Sequence, residues 1–416
     1  LDPEIAGVQA ALDRKFPGRN VQIMDWDDAR SRFLLLASGG ADPGRYYVFR
    51  RGEDRLVQFI HRTEWLTLDG VNPAAPFAFD TPEGVHLTGY LTLPAAPLTK
   101  LPPLLVYCHG GPWERVESGF NRDAQVLAAM GFVVAQVNYR GSAGLGTRVR
   151  EALRANLDGI PVEDVRATIA WVEAHQTVDR KRVALFGEGF GGYVALRALQ
   201  LYPDDFRCAV AINAPTDLSL WAQKPESTQE ARDRQDTKID EMRQMGDFML
   251  AFGPKKKGLL APAATHPSFA QDGIAGLQDD PTAASVADTP NAAAGPQPGL
   301  PAPNLVNFSS EFRRWYFGTD LKHLAAISPA RHPDLLTKPI LLIQDPYDVG
   351  GEAGTAAALR SALSHTSNPA DYLEITGEFA RGLPEARRKV YSKVEEFFNL
   401  NIYNFNVKIG DTKVQK

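Results

Sequence analysis

The chain has 416 residues, 44% of them hydrophobic, and a formal net charge of −5. That length supports a sizeable core in one large domain with a smaller companion. The acidic balance excludes a nucleic-acid footprint, because the only basic run, Lys255, Lys256 and Lys257, is short. Apolar runs such as 104–106 and 132–134 are too short to cross a bilayer, so a soluble chain with no membrane span is expected.

Taken in order, residues 3–16 have helical spacing at Ile5, Val8, Ala11 and Leu12. Four short strand candidates follow at 21–26, 33–37, 46–49 and 56–60, separated by Asp, Gly and Pro turn signals. Together they read as one propeller-like, all-β segment over residues 1–63, whose exposed edges call for packing on the main domain, on another chain or on further blades. The chain opens on Leu1 rather than Met and has no signal pattern, so a processed product or a piece of a longer protein is expected. Compartment stays unread.

From about Pro102 strands alternate with helices, the pattern of a mostly parallel sheet with helices on both faces. Runs 104–108 and 132–137 are largely apolar, as strands buried on both faces should be. A helix over 161–176 places Val162, Val165, Ile169 and Val172 on one face, with Pro161 in its first turn. Further strands are expected at 183–186, 208–213, 340–344 and 372–375, and a last helix at 384–398. Cys108 and Cys208 each fall in a buried strand and read as core hydrophobes rather than a disulfide.

Residues 222–311 break this rhythm, with no strand candidate and nine prolines between Pro254 and Pro303. Ser227 and Glu230 form a capping box, and Ile239, Met242, Met245, Met249 and Phe252 recur at helical spacing. A helical lid followed by a flexible, Pro- and Ala-rich loop is the expectation.

The segment Gly187-Glu188-Gly189-Phe190-Gly191-Gly192 follows the strand at 183–186 and opens a helix. A serine hydrolase of the α/β type needs G-x-S-x-G at such a turn, which lifts a serine oxygen above the sheet. Gly189 stands where that serine belongs. From Glu64 to Asn399 the chain resembles the catalytic domain of the prolyl oligopeptidase (S9) family of serine peptidases. His109-Gly110-Gly111-Pro112 resembles the family's oxyanion-side loop, and Asn138-Tyr139-Arg140-Gly141-Ser142, followed by Gly144 and Gly146, its next signature. Ile327-Ser328-Pro329 before 339–344 resembles the approach to the acid strand.

The resemblance implies an α/β-hydrolase domain over 64–416, with the 222–311 insertion, preceded by a partial β-propeller. It also implies Asp348 as the triad acid, and an oxyanion hole from the Phe190 N–H with a donor of the Gly110–Gly111 loop. The departures coincide with the chemistry. Gly189 replaces the nucleophile, Phe379 falls at the position of the base, and Gln344-Asp345 replaces the usual His-Gly. Without an imidazole, Asp348 has no proton to manage, and without serine there is no acyl-enzyme. An S9 homologue that is catalytically inactive is therefore expected, serving as a binding, scaffolding or regulatory module; the alternative is an active S9 peptidase or esterase that uses an unrecognised site or is present as an inactivated variant.

His109 and Glu188 are the polar side chains nearest the vacancy. The bland readings are a loop-orienting histidine and a carboxylate that compensates a helix dipole. No H-x-H or H-E-x-x-H spacing occurs among the eight histidines, so no metal and no cofactor is expected. Gly187, Gly189 and Gly192 also satisfy the dinucleotide pattern G-x-G-x-x-G, but no acidic residue ends the next strand to take a ribose. A bare helix N-terminus suits an anion, so a carboxylate, phosphate or peptide C-terminus is the expected ligand. Homodimerisation or pairing with an active relative is the expected assembly.

Overall fold

A computed structural model describes residues 2–39, 41–61, 71–154, 157, 159–223, 316–345, 353–375 and 384–404. The expected lid segment, Asp348 and Phe379 lie outside the described residues.

Helix α1 (Pro3–Lys15) starts on Asp2, whose carboxylate accepts the Glu4 N–H at 2.9 Å, with Pro3 in the first turn. Strands β1 (Asn20–Trp26), β2 (Arg32–Gly39), β3 (Asp42–Arg50) and β4 (Arg55–His61) form an antiparallel meander in that order. Val8, Leu12 and Phe16 of the helical segment bury against Phe33, Leu35 and Phe49 of the sheet, giving this segment its own core.

The eight-stranded sheet begins earlier than the sequence pattern suggests. Strands β5 (Ala75–Asp80) and β6 (His86–Thr92) pair antiparallel at its edge. Sequence reasoning passes over both because Pro76 and Gly89 weaken their strand character. Gly89 is needed there: a side chain would place its Cβ 2.3 Å from the Gln136 carbonyl oxygen.

The rest of the sheet contains β7 (Pro103–Cys108), β8 (Val133–Asn138), β9 (Asp179–Glu188), β10 (Cys208–Ile212), β11 (Ile340–Gln344) and β12 (Asp371–Glu374). The order is β12-β11-β10-β9-β7-β8-β6-β5, parallel except where β6 meets β8 and β5. Alternation along each strand divides the core in two. Leu104, Val106 and Cys108 face one cluster, with α4 (Ile160–His175) and α5 (Phe190–Leu201), which follow the short helix α3 (Thr147–Glu151) in the chain. Leu105 and Tyr107 face the other, with α2 (Arg122–Ala129) and the helix Pro384–Phe398. Helices therefore cover both faces, and the C-terminal ends of β7, β9 and β10 converge on the Gly189 turn.

Candidate active site: the glycine turn after β9

At the end of β9 the chain turns sharply into α5, and Gly189 adopts φ 56° and ψ −126°. Its N–H donates to the Ile212 carbonyl at 2.9 Å, while its own carbonyl accepts the Gly192 N–H at 2.9 Å. The glycines of this turn are there for different reasons. A Cβ on Gly187 would lie 2.2 Å from Gly191 backbone atoms, and one on Gly191 2.0 Å from the Cys108 oxygen. Gly192 would meet the Ala214 Cβ at 2.7 Å. Gly189 would meet nothing within 4 Å. Space is open where a nucleophile would stand, and only the positive φ disfavours a side chain, the same strain that serine accepts in a working hydrolase elbow. The G-x-G-x-x-G spacing thus follows from helix-on-strand packing at Gly187 and Gly192.

Facing the turn is the loop from His109 to Pro112. His109 is 5% exposed, and burial holds its pKa down at about 4, so the imidazole is neutral. Its Nδ1 lies 2.8 Å from the Gly110 oxygen, an acceptor, so the proton sits on Nδ1. Nε2 lies 2.8 Å from the Ser142 hydroxyl, whose single proton also has the Tyr139 carbonyl at 2.7 Å as an acceptor. The ring stacks on Tyr139 at 4.2 Å between centroids, and the Tyr139 hydroxyl donates to the His109 carbonyl at 2.5 Å. A serine and a neutral imidazole at this spacing have the form of a nucleophile and base. Ser142 is wholly buried, however, so the pair is a strut between two loops.

That strut has an anchor. Arg140 binds Asp164 of α4 through its backbone N–H at 2.7 Å and its guanidinium at 2.7 Å. Asp164 is fully buried, and burial outweighs the arginine in raising its pKa. Sequence reasoning singled out neither Asp164 nor this coupling, because partners 24 residues apart carry no local pattern.

On the acid side, Asn213 adopts φ 46° at the end of β10. Its side-chain oxygen accepts the Asp345 N–H at 2.8 Å and the Gln344 amide at 3.3 Å. Gln344 and Asp345 are therefore tied to the neighbouring strand end.

The Phe190 ring, directly after Gly189, is buried among Tyr193, Tyr139 and Phe317 at 5.2, 6.5 and 6.1 Å. Phe317 also meets Trp221 at 4.7 Å and Trp113 of the His109 loop at 6.1 Å. Opposite this aromatic side, charges gather around Tyr107. Its phenol is driven well above its ordinary pKa by burial and by Asp123, Glu188 and Glu114, with Arg387 acting in the other direction. Glu114, also missed from sequence, lies against Gly110, and burial alone raises its pKa.

Among the described residues no group of three His, Cys, Asp or Glu is placed to hold a metal ion, and no helix is long and apolar enough to cross a membrane.

Residues 118–248 match the prolyl oligopeptidase family. Dipeptidyl aminopeptidase BIII of Pseudoxanthomonas mexicana is 29% identical over 53% of this chain and 33% of its own length. The human acylamino-acid-releasing enzyme is 33% identical over 31% of this chain and 18% of its own. The chain thus spans at most about a third of the length of these relatives. Among solved structures, a Mycobacterium tuberculosis puromycin-hydrolyzing peptidase superimposes with a TM-score of 0.62 at 20% identity, covering 89% of this chain and 46% of that one. An acylaminoacyl peptidase of Pyrococcus horikoshii gives 0.62 at 15% identity, covering 93% and 50%. These likenesses establish the α/β-hydrolase fold. Fold and family match agree: this chain carries a prolyl oligopeptidase (S9) family domain and is a homologue of the dipeptidyl and acylaminoacyl peptidases.

Proposed function

We propose that this S9 homologue is catalytically inactive and acts as a binding, scaffolding or regulatory module. The observation that carries the reading is Gly189, which holds the backbone of a nucleophile turn, with open space above it and no side chain to attack a carbonyl. Phe379 at the expected position of the base supports it from sequence, as does the Gln344-Asp345 replacement. An oxyanion hole alone sustains about a thousand- to ten-thousandfold acceleration over water. Useful peptidases exceed roughly a millionfold.

In the same reading, residues 1–63 are a propeller-like segment and 64–416 a hydrolase domain with an insertion at about 222–311. The segment and insertion are where another copy or an active relative would pair. Native mass spectrometry of the purified chain separates monomer, homodimer and mixed complex; a strictly monomeric chain in the presence of an active relative would remove the pairing idea.

Labelling with a fluorophosphonate tests the loss of chemistry directly. Gly189→Ser and Phe379→His are each expected to remain unlabelled, since neither alone supplies both nucleophile and base. Labelling of the natural chain at any residue of this turn would refute inactivity.

A further inference from the structure

The N-terminal ends of β7, β9 and β10 lie at the opposite edge of the sheet from the Gly189 turn, and exposed leucines gather there. Leu98 and Leu101, in the loop that leads into β7, are 53% and 44% exposed, and Leu400, in the helical turn Asn399–Tyr403, is 55% exposed. Arg182 joins the two segments: its guanidinium donates to the Leu101 carbonyl at 2.6 Å and stands 5.9 Å from the centre of the Tyr403 ring. Leu98 flanks the same tyrosine, since a Cβ on Gly131 would meet both the Leu98 Cγ and the Tyr403 hydroxyl at 2.8 Å. Arg207, directly before β10, donates to the Asn401 carbonyl at 3.2 Å, which places it beside the Leu400 turn.

Charge in this patch is one-sided. Lys100, Lys181 and Arg207 are exposed, and among the described residues none of them is paired with a carboxylate. The acids of the same segments are mostly occupied: Asp179, Asp205 and Glu396 are held by Arg182, Arg166 and Lys393 at 2.8, 2.8 and 3.3 Å, and Asp204 by Lys338 at 3.6 Å. That leaves Glu395 against three cations, a local reversal on a chain of net charge −5. Exposed apolar side chains rimmed by unpaired cations suit a partner that is both apolar and anionic.

We infer that this end of the domain docks on an anionic lipid surface, with the three leucines entering the headgroup boundary and Lys100, Lys181 and Arg207 facing lipid phosphates. A bilayer fits better than a peptide because the leucines belong to two separate segments, whereas the cavities that could enclose a peptide side chain lie along α4, lined by Ile169 and Asp205 or by Thr81 and Ala167. The loop is also prepared for a drier setting. Its Leu101 carbonyl accepts both Arg182 and the Thr99 hydroxyl, at 2.6 and 2.7 Å, so insertion leaves that group paired. Docking here leaves the Gly189 turn untouched and holds whether or not that turn is catalytic.

Flotation of the full chain with vesicles tests the inference, comparing phosphatidylcholine alone with phosphatidylcholine containing about a third phosphatidylglycerol. Binding to the anionic vesicles is expected, and it should fall as added salt screens the charges. The paired change Leu98→Ser and Leu400→Ser is expected to weaken it at least about tenfold, and Lys100→Gln, which leaves the leucines in place, roughly fivefold. Leu220→Ser, at a 48% exposed leucine of the helix Leu218–Gln223 after the C-terminal end of β10, should stay within about twofold. No binding to anionic vesicles, equal binding to phosphatidylcholine alone, or a Leu98 and Leu400 variant that binds like the natural chain would each overturn the inference. Sedimentation without lipid reads the other occupants: a dimer lost in the same leucine variant, or capture of a soluble Glu- and Leu-rich peptide, with no vesicle binding, assigns the patch to a protein partner and overturns the lipid assignment.

Discussion

Gly187, Gly189 and Gly191 look alike in sequence but resist substitution for different reasons. At Gly191 any side chain collides with backbone atoms of Cys108, a fixed obstacle in the middle of the sheet. At Gly189 the penalty is conformational only. Gly191→Ala is therefore expected to cost more than about 3 kcal/mol or to prevent folding, while Gly189→Ala costs about 1–2 kcal/mol. Urea midpoints at constant slope check the order; equal losses would mean that the turn is not as open as described.

His109 gives a pH signature at the same scale. Its folded pKa of about 4 lies below the ordinary 6.5, so between these values the unfolded chain binds the proton more readily. Stability from this group is accordingly intact above pH 6.5 and lost as pH falls towards 4, by up to about 3 kcal/mol. His109→Gln should flatten the slope between pH 6.5 and 4 relative to the natural chain. An unchanged slope would show that the imidazole is already accessible to protons. The thiols are quieter: burial pushes Cys108 up to about 12 and Cys208 further, so neither should react with iodoacetamide in the native chain at neutral pH.

Among the elements, the loop after β8 is fastened to α4 through Arg140 and Asp164, and passes that constraint to His109 through Tyr139 and Ser142. Asp164→Asn removes the buried charge that holds the partly exposed Arg140 guanidinium, a charge-assisted tie worth about 1.5–3 kcal/mol. Hydrogen exchange should rise at residues 109–111 as well as at 139–142. A rise confined to 139–142 would show that the strut does not reach the Gly110 loop.

What sequence revealed follows the same division between local and distant signals. The central parallel strands were readable because each carries a largely apolar stretch, and α4 because its valines and isoleucine repeat with the helical period. The turn glycines stood out because their spacing belongs to one continuous motif. β5 and β6 escaped because the edge strands contain Pro76 and Gly89, and the reason for Gly89 is a close approach to β8 that no neighbour in sequence announces. Glu114 escaped for a related reason: four residues past Gly110 it reads as a solvated loop acid, and only the folded loop brings it back over Gly110. The Arg140–Asp164 tie and the Gln344–Asn213 bond likewise join segments that share no pattern.

Across the whole molecule, packing on the α/β-hydrolase fold requires glycine at Gly187 and Gly191, where a Cβ would strike backbone atoms, whereas Gly189 has open space above it. The proposed loss of chemistry therefore turns on a position where the fold demands little. The most direct measurement is ester and peptide turnover by the unmodified, purified chain, compared with buffer and with heat-killed protein over the same hours. Turnover indistinguishable from both controls is the expected result, and saturable hydrolysis above them, abolished by heat, would contradict the reading of Gly189 as the loss of a nucleophile.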